Sequence, residues 1–184
     1  MSVVSQRDNK GAPFVGVIMG SASDLEKVRV VFETLDIFQV PYEAAVVSAH
    51  RTPELVKAYA ESVTRRGIKV IIAAAGLAAV LPGVLSALVD IPVIGLPLGG
   101  GPVNGIDALL SVTDMPPGTP VGSVGIDSAR NAALLAVRIL GLGDPRLRQE
   151  LSRARVQAAG EAAATASFLR DKGLPAWEPE PSGS

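Results

Sequence analysis

Short apolar runs alternate along the chain with segments whose apolar positions recur every three or four residues. FVGVIMG (14–20) reads as a strand ending in glycine. In SDLEKVRVVFETLDIFQV (23–40), Leu25, Val28, Phe32, Leu35 and Phe38 form one helical stripe. Ser23 or Asp24 can cap that helix, because their side-chain oxygens accept from orphan backbone N–H groups. PYEAAVVSA (41–49) predicts a second strand and TPELVKAYAESVTRRG (52–67) a second helix. Thr52 as cap, Pro53 in the first turn and Gly67 past the last turn fit helix grammar. KVIIAAAG (69–76) is apolar on both faces, as a central parallel strand should be. A small-residue helix over about 78–89 leads to the strand IPVIGLPL (91–98) and the glycine loop 99–101. NGIDALLSVTD (104–114) is the next helix, PVGSVGI (120–126) a fifth strand, and ARNAALLAVRILG (129–141) its helix.

Five strand–helix repeats of this length imply right-handed crossovers and a parallel sheet covered on both faces. The expected fold class is therefore a three-layer α/β domain with flavodoxin-like strand order and a C-terminal helical extension. Residues 1–12 read as a flexible N-terminus, 13–143 as the α/β domain, 144–174 as the extension and 175–184 as a frayed tail. The extension is rich in Ala, Arg and Glu, with a weak spot at Gly160. It can pack on its own domain or reach a second subunit, and Trp177 can anchor the tail to a neighbour.

Composition narrows the chemistry. The 184 residues are 48% hydrophobic but only 4% aromatic, so the core must be aliphatic. A net charge of −1 gives no electrostatic footprint for nucleic acid or an anionic membrane. Cysteine is absent, which removes thiolate chemistry and Cys-ligated metals, and a single His excludes a multi-histidine metal site within one chain. The opening MSVVSQRDNKGAP is short and polar, so no secretory leader is expected. The most apolar stretch, 68–89, is broken by Gly76, Pro82 and Gly83, so no membrane span is expected. A cytoplasmic protein is the resulting expectation.

In an open parallel sheet, ligands bind beyond the carboxyl ends of the strands. Those ends carry Gly20-Ser21-Ala22-Ser23-Asp24, Ser48-Ala49-His50-Arg51-Thr52, Ala75-Gly76-Leu77 and Leu98-Gly99-Gly100-Gly101. The first places hydroxyls at a helix N-terminus, which suits a phosphate or a simple cap; no Lys follows in the register of a Walker loop. At the second, His50 belongs to the one side-chain type that titrates near neutral pH unaided. Arg51 beside it is a natural bidentate partner for phosphate or carboxylate. The absence of a second His, a Cys or a paired carboxylate nearby argues against triad or glycosidase chemistry. The glycine loop either admits a ligand close to the backbone or is a plain turn. Asp107 and Asp127, near later helix starts, read as caps.

GVIMGSASD (16–24), VVSAHRTPE (46–54), AAAGLAAVLPG (73–83) and NGIDALLSVTDMPPGTPVGSVGID (104–127) resemble the PurE-type family. These are the N5-carboxyaminoimidazole ribonucleotide mutases of purine biosynthesis. With SARNAALLAVRIL (128–140), the likeness covers about 14–141. It implies a flavodoxin-like homo-octamer that moves a carboxyl group from N5 to C4 of aminoimidazole ribonucleotide, without metal or organic cofactor. Ser21, Asp24, Ser48, Ala49, Arg51 and Gly76 would bind substrate, and His50 would be the general acid/base. Ser23, Ala75, Val80, Leu81, Gly99 and Gly100 would complete the pocket around the ribonucleotide and CO2. The sequence departs from the family pattern at Val80, where a His usually precedes Leu-Pro-Gly, and at the glycine loop. Those departures keep two alternatives open. One is a paralogue that carboxylates or decarboxylates a different ribonucleotide, or carboxylates aminoimidazole ribonucleotide with CO2 directly; the other is a non-catalytic nucleotide-binding relative.

Overall fold

The computed structural model describes residues 14–175; the expectations for 1–12, for the rest of the tail and for Trp177 lie outside the described residues. Five parallel strands form one sheet: β1 (Val15–Met19), β2 (Tyr42–Val46), β3 (Val70–Gly76), β4 (Val93–Leu98) and β5 (Gly122–Ser123). Their spatial order is β2-β1-β3-β4-β5, the flavodoxin-like order. The helices are α1 (Leu25–Ile37), α2 (Pro53–Arg66), α3 (Leu81–Ser86), α4 (Ile106–Thr113), α5 (Ala129–Gly141) and α6 (Pro145–Asp171).

The period-two alternation of β3 divides the core into two. Val70, Ile72 and Ala74 point to one face, where Val28, Val31 and Leu35 of α1 meet Ala132, Ala133 and Val137 of α5. Ile71, Ala73 and Ala75 point to the other, against Val56 and Ala60 of α2, Leu81 and Leu85 of α3, and Ala108 and Val112 of α4. Both faces of β3 are buried, which is why its sequence shows an unbroken apolar run.

Several expected boundaries move, each for a local reason. α3 begins at Leu81 rather than near 78: a helix started earlier would set the Pro82 ring against the Ala78 carbonyl and lose that hydrogen bond. The fifth strand shrinks from the expected 120–126 to Gly122–Ser123. Beyond it the chain still donates from Val124 N to Gly95 O (3.2 Å) and from Asp127 N to Pro97 O (2.9 Å), but with irregular spacing. α1 starts only after a 3₁₀ turn over Ala22–Asp24, and neither Ser23 nor Asp24 caps it with a side-chain bond. Instead Ser21 Oγ accepts from Ser23 N, and Asp24 Oδ2 accepts from Ser21 N at 3.1 Å, a reciprocal capping box. Thr52 occupies the N-cap position of α2, yet its hydroxyl makes no capping bond and turns back to Ser48. Gly67 closes α2 at φ 82°, as expected.

α6 runs through Gly160 without a break. Asp144 Oδ1 accepts from Arg146 N (2.8 Å) at its start. Leu147 is buried, Leu151 and Ala154 pack on the core, and residues 155–161 are exposed. No described helix is long and apolar enough to cross a membrane.

Candidate active site

The carboxyl ends of β1, β2, β3 and β4 open into a cavity of about 500 Å³. Every residue proposed from sequence lines it: Ser21, Ser23 and Asp24 after β1; Ser48, Ala49, His50 and Arg51 after β2; Ala75, Gly76, Val80 and Leu81 around the end of β3; Gly99 and Gly100 after β4. Strand order turns this list into a gradient. The hydroxyls and charges of the β2 and β1 ends lie on one side, and small or aliphatic side chains of the β3 and β4 ends on the other.

The polar side is built by local turns. Ser48 N donates to Thr52 Oγ1 (3.0 Å), and Thr52 Oγ1 donates back to Ser48 O (3.1 Å), closing a tight turn that presents His50 and Arg51 outward. Arg51 N donates to Ser48 Oγ (3.3 Å), and one Nη2 hydrogen of Arg51 reaches Gly20 O at 3.1 Å. That single anchor aims the guanidinium along the β1 end and leaves most of its fork to a ligand. Partial burial raises the Asp24 carboxyl above its usual range, and this outweighs the opposing Ser21 hydrogen bond and the charges of Lys27 and Arg51. Among the described residues, no three His, Asp or Glu side chains group as metal ligands.

On the apolar side, Val80 is 38% exposed and contributes only methyl groups to the lining. Leu77 takes a left-handed φ of 55°, turning the chain sharply out of β3 beside the cavity.

Two residues were misread from sequence and one was missed. Asp127 is not a cap: its carboxylate accepts from Gly99 N (2.9 Å) and pairs with Lys27 Nζ at 3.0 Å. Asp107 is not a cap either, since Gly105 holds that position in α4 and no side-chain bond is made there. Lys27 lines the cavity and donates to Gly99 O at 2.5 Å. No local pattern marks Lys27, because its partners lie 72 and 100 residues away in sequence.

The model of the AIR carboxylase family matches residues 14–161 of this chain. The chain belongs to that family. A family relative from Pyrococcus abyssi, an N5-carboxyaminoimidazole ribonucleotide mutase, is 54% identical over 145 residues, covering 79% of this chain and 83% of its own. A phosphoribosylaminoimidazole carboxylase of Schizosaccharomyces pombe is 48% identical over 141 residues, covering 77% of this chain but 26% of that longer protein. The crystal structure of Treponema denticola PurE superposes with a TM-score of 0.79 at 28% identity, covering 85% of this chain and 98% of that one. The AIR carboxylase fold thus accounts for the sheet and its crossovers.

Proposed function

We propose that this chain is an N5-carboxyaminoimidazole ribonucleotide mutase, moving a carboxylate from N5 to C4 of aminoimidazole ribonucleotide. The observation that carries the reading is the polarity gradient across one cavity, with His50 on its polar wall. Ser21, Asp24, Ser48 and Arg51 take the ribose phosphate, and the imidazole ring of the substrate extends toward Ala75, Gly76 and Val80. His50 donates a proton to N5, the carbamate C–N bond breaks, and CO2 leaves with aminoimidazole ribonucleotide behind it. The ring carbon C4 then attacks the trapped CO2, and His50 recovers the proton from C4 to restore aromaticity. One proton is given and one is taken back. The apolar side keeps the site dry while CO2 is free.

A second reading is direct carboxylation of aminoimidazole ribonucleotide by dissolved CO2; the S. pombe relative's name and the apolar Val80 favour it. Purified protein given the N5-carbamate in buffer containing labelled CO2 separates the two. Unlabelled C4-carboxylate at enzymatic rates is the expected result, and labelled product formed only from aminoimidazole ribonucleotide would replace the mutase with the carboxylase. His50→Asn is expected to lose turnover by at least a hundredfold while still binding the ribonucleotide. Near-wild-type turnover in that variant removes the acid/base role, and binding without turnover in the wild type leaves a nucleotide-binding relative.

A further inference from the structure

The glycine loop after β4 is gripped from two sides by side chains that no substrate role requires. Asp127 accepts from the N–H of Gly99 at 2.9 Å, and Lys27 donates to its carbonyl at 2.5 Å. The two side chains also pair with each other, at 3.0 and 3.2 Å. Lys27 comes from the first turn of α1 and Asp127 from the β5–α5 connection, so the two peptide groups flanking Gly99 are tied to both elements. The fit leaves no room: a Cβ on Gly99 would fall 2.6 Å from Asp127 Oδ2. The far end of the loop is wedged as well, since a Cβ on Gly101 would fall 2.6 Å from Leu77 Cδ2. Between them Gly100 has open space and a φ of 151°.

This arrangement is poorly suited to hold the fold together. Lys27 and Asp127 are 41% and 45% exposed, and a pair so open to water contributes little to stability. Its effect falls on geometry instead. The loop is the wall of the cavity beyond β4, next to the small and aliphatic side chains of the β3 end. The pair also neutralises Lys27, so that of the two described cations lining the cavity, Arg51 is the one left to an anionic ligand.

We propose that Lys27 and Asp127 are positioning residues: by gripping Gly99 they fix the glycine loop as the wall at the apolar end of the cavity and limit the escape of free CO2. The proposal rests on the mutase reading for its chemical consequence. With the loop loosened, the carbamate still takes its proton and loses CO2, but the gas escapes before C4 attacks. Aminoimidazole ribonucleotide is then released in place of the C4-carboxylate.

The test is the partition of N5-carbamate between those two products in Lys27→Met and Asp127→Ala, alongside thermal melting of each. Released aminoimidazole ribonucleotide is expected to rise roughly tenfold relative to C4-carboxylate, as for other small misplacements of reacting groups. The melting temperature should stay near wild type. The charge-reversed pair Lys27→Asp with Asp127→Lys restores attraction but sets an ammonium against the Gly99 N–H, so it should not recover coupling. Lys27→Arg should recover part of it. Wild-type partition in both single variants, or full recovery in the reversed pair, overturns the proposal, as does a fall in melting temperature that tracks the lost coupling. Amide exchange at residues 99–101 is read in the same proteins. It should quicken in Asp127→Ala, and that outcome stands apart from turnover: wild-type protein without turnover defeats the mutase reading alone, whereas unchanged exchange defeats the clamp.

Discussion

Gly16 sits in the middle of β1, paired with Glu43 on one side and Ile71 on the other, and it faces the Tyr59 side chain of α2. A Cβ built there would lie 2.2 Å from the Tyr59 hydroxyl oxygen, 3.3 Å from Cζ and 3.6 Å from Ile68 Cγ2. Gly16→Ala therefore forces the hydroxyl to retreat by about 1 Å before ordinary contact returns. Tyr59 has little freedom to do so. The Arg66 guanidinium carbon lies 4.5 Å from its ring centroid, and Arg66 is ion-paired with Glu43 on β2. Burial, reinforced by the Glu43 carboxylate, holds the Tyr59 phenol well above its usual pKa, so the ring stays neutral.

Overpacking of this kind costs about 1–3 kcal/mol, against which the stiffer unfolded chain of an alanine variant returns about 0.4–1 kcal/mol. The net loss is about 1–2 kcal/mol, or roughly 2–8 °C in Tm for a chain of this size. Differential scanning calorimetry at fixed concentration and scan rate measures it. Tyr59→Phe removes the clashing oxygen and leaves only the milder Cζ contact. In that background Gly16→Ala should cost far less, with a coupling of about 1 kcal/mol in the double-mutant cycle. Wild-type melting of Gly16→Ala, or an equal loss with and without Tyr59→Phe, would refute the packing argument. KM and kcat should be unchanged, because this cluster does not line the cavity.

Two further predictions concern the polar side. Arg51→Ala removes a charge-assisted contact of about 1.5–3 kcal/mol. KM should accordingly rise roughly 10- to 100-fold with little change in kcat, and Arg51→Lys should fall between because it lacks the planar fork; an unchanged KM in steady-state kinetics refutes the phosphate role. Burial raises the pKa of Asp24, so the fold disfavours its charged form relative to the unfolded chain. Its contribution to stability is present below the ordinary carboxylate range and is lost as pH rises through the raised value. Asp24→Asn should therefore melt above wild type at pH 7, with the gap closing toward about pH 4, while substrate binding weakens; a variant less stable than wild type at pH 7 contradicts this.

What could be read from the chain depended on how local each cause was. β1, β3 and β4 stood out because their burial on two faces writes itself as an unbroken apolar run. His50 and Arg51 stood out because a strand end in a parallel sheet is a place with known consequences. β5 was overread: PVGSVGI is apolar enough for a full strand, but only two residues complete the ladder with β4. Asp127 was misread because a carboxylate two residues before a helix looks like a cap whatever its true partner. That partner, Lys27, is set by the meeting of α1 with the β5–α5 turn, and nothing within either segment records it. Gly16 looked like an ordinary strand residue, since the side chain that needs its space comes from a helix 43 positions later.

The placing of charge in this fold also accounts for Val80. The clusters that restrain the structure at β1 and β2, such as Glu43 with Arg66, lie away from the cavity, while the β1 and β2 ends supply its serines, its carboxylate and Arg51. The β3 and β4 ends offer backbone, methyl groups and glycine, with the Lys27–Asp127 ion pair beside Gly99. On the mutase reading, that is the division the two halves of the substrate demand. A ribose phosphate is a dianion that needs donors, whereas CO2 is a small neutral molecule that gains nothing from a fixed charge and is lost to any water that enters. A valine at position 80 offers no competing proton donor, so on that reading His50 is left to handle both proton transfers. The retention of CO2 then falls to the loop that Lys27 and Asp127 hold, and the chemistry of the apolar end becomes a matter of where that loop sits more than of side-chain acidity.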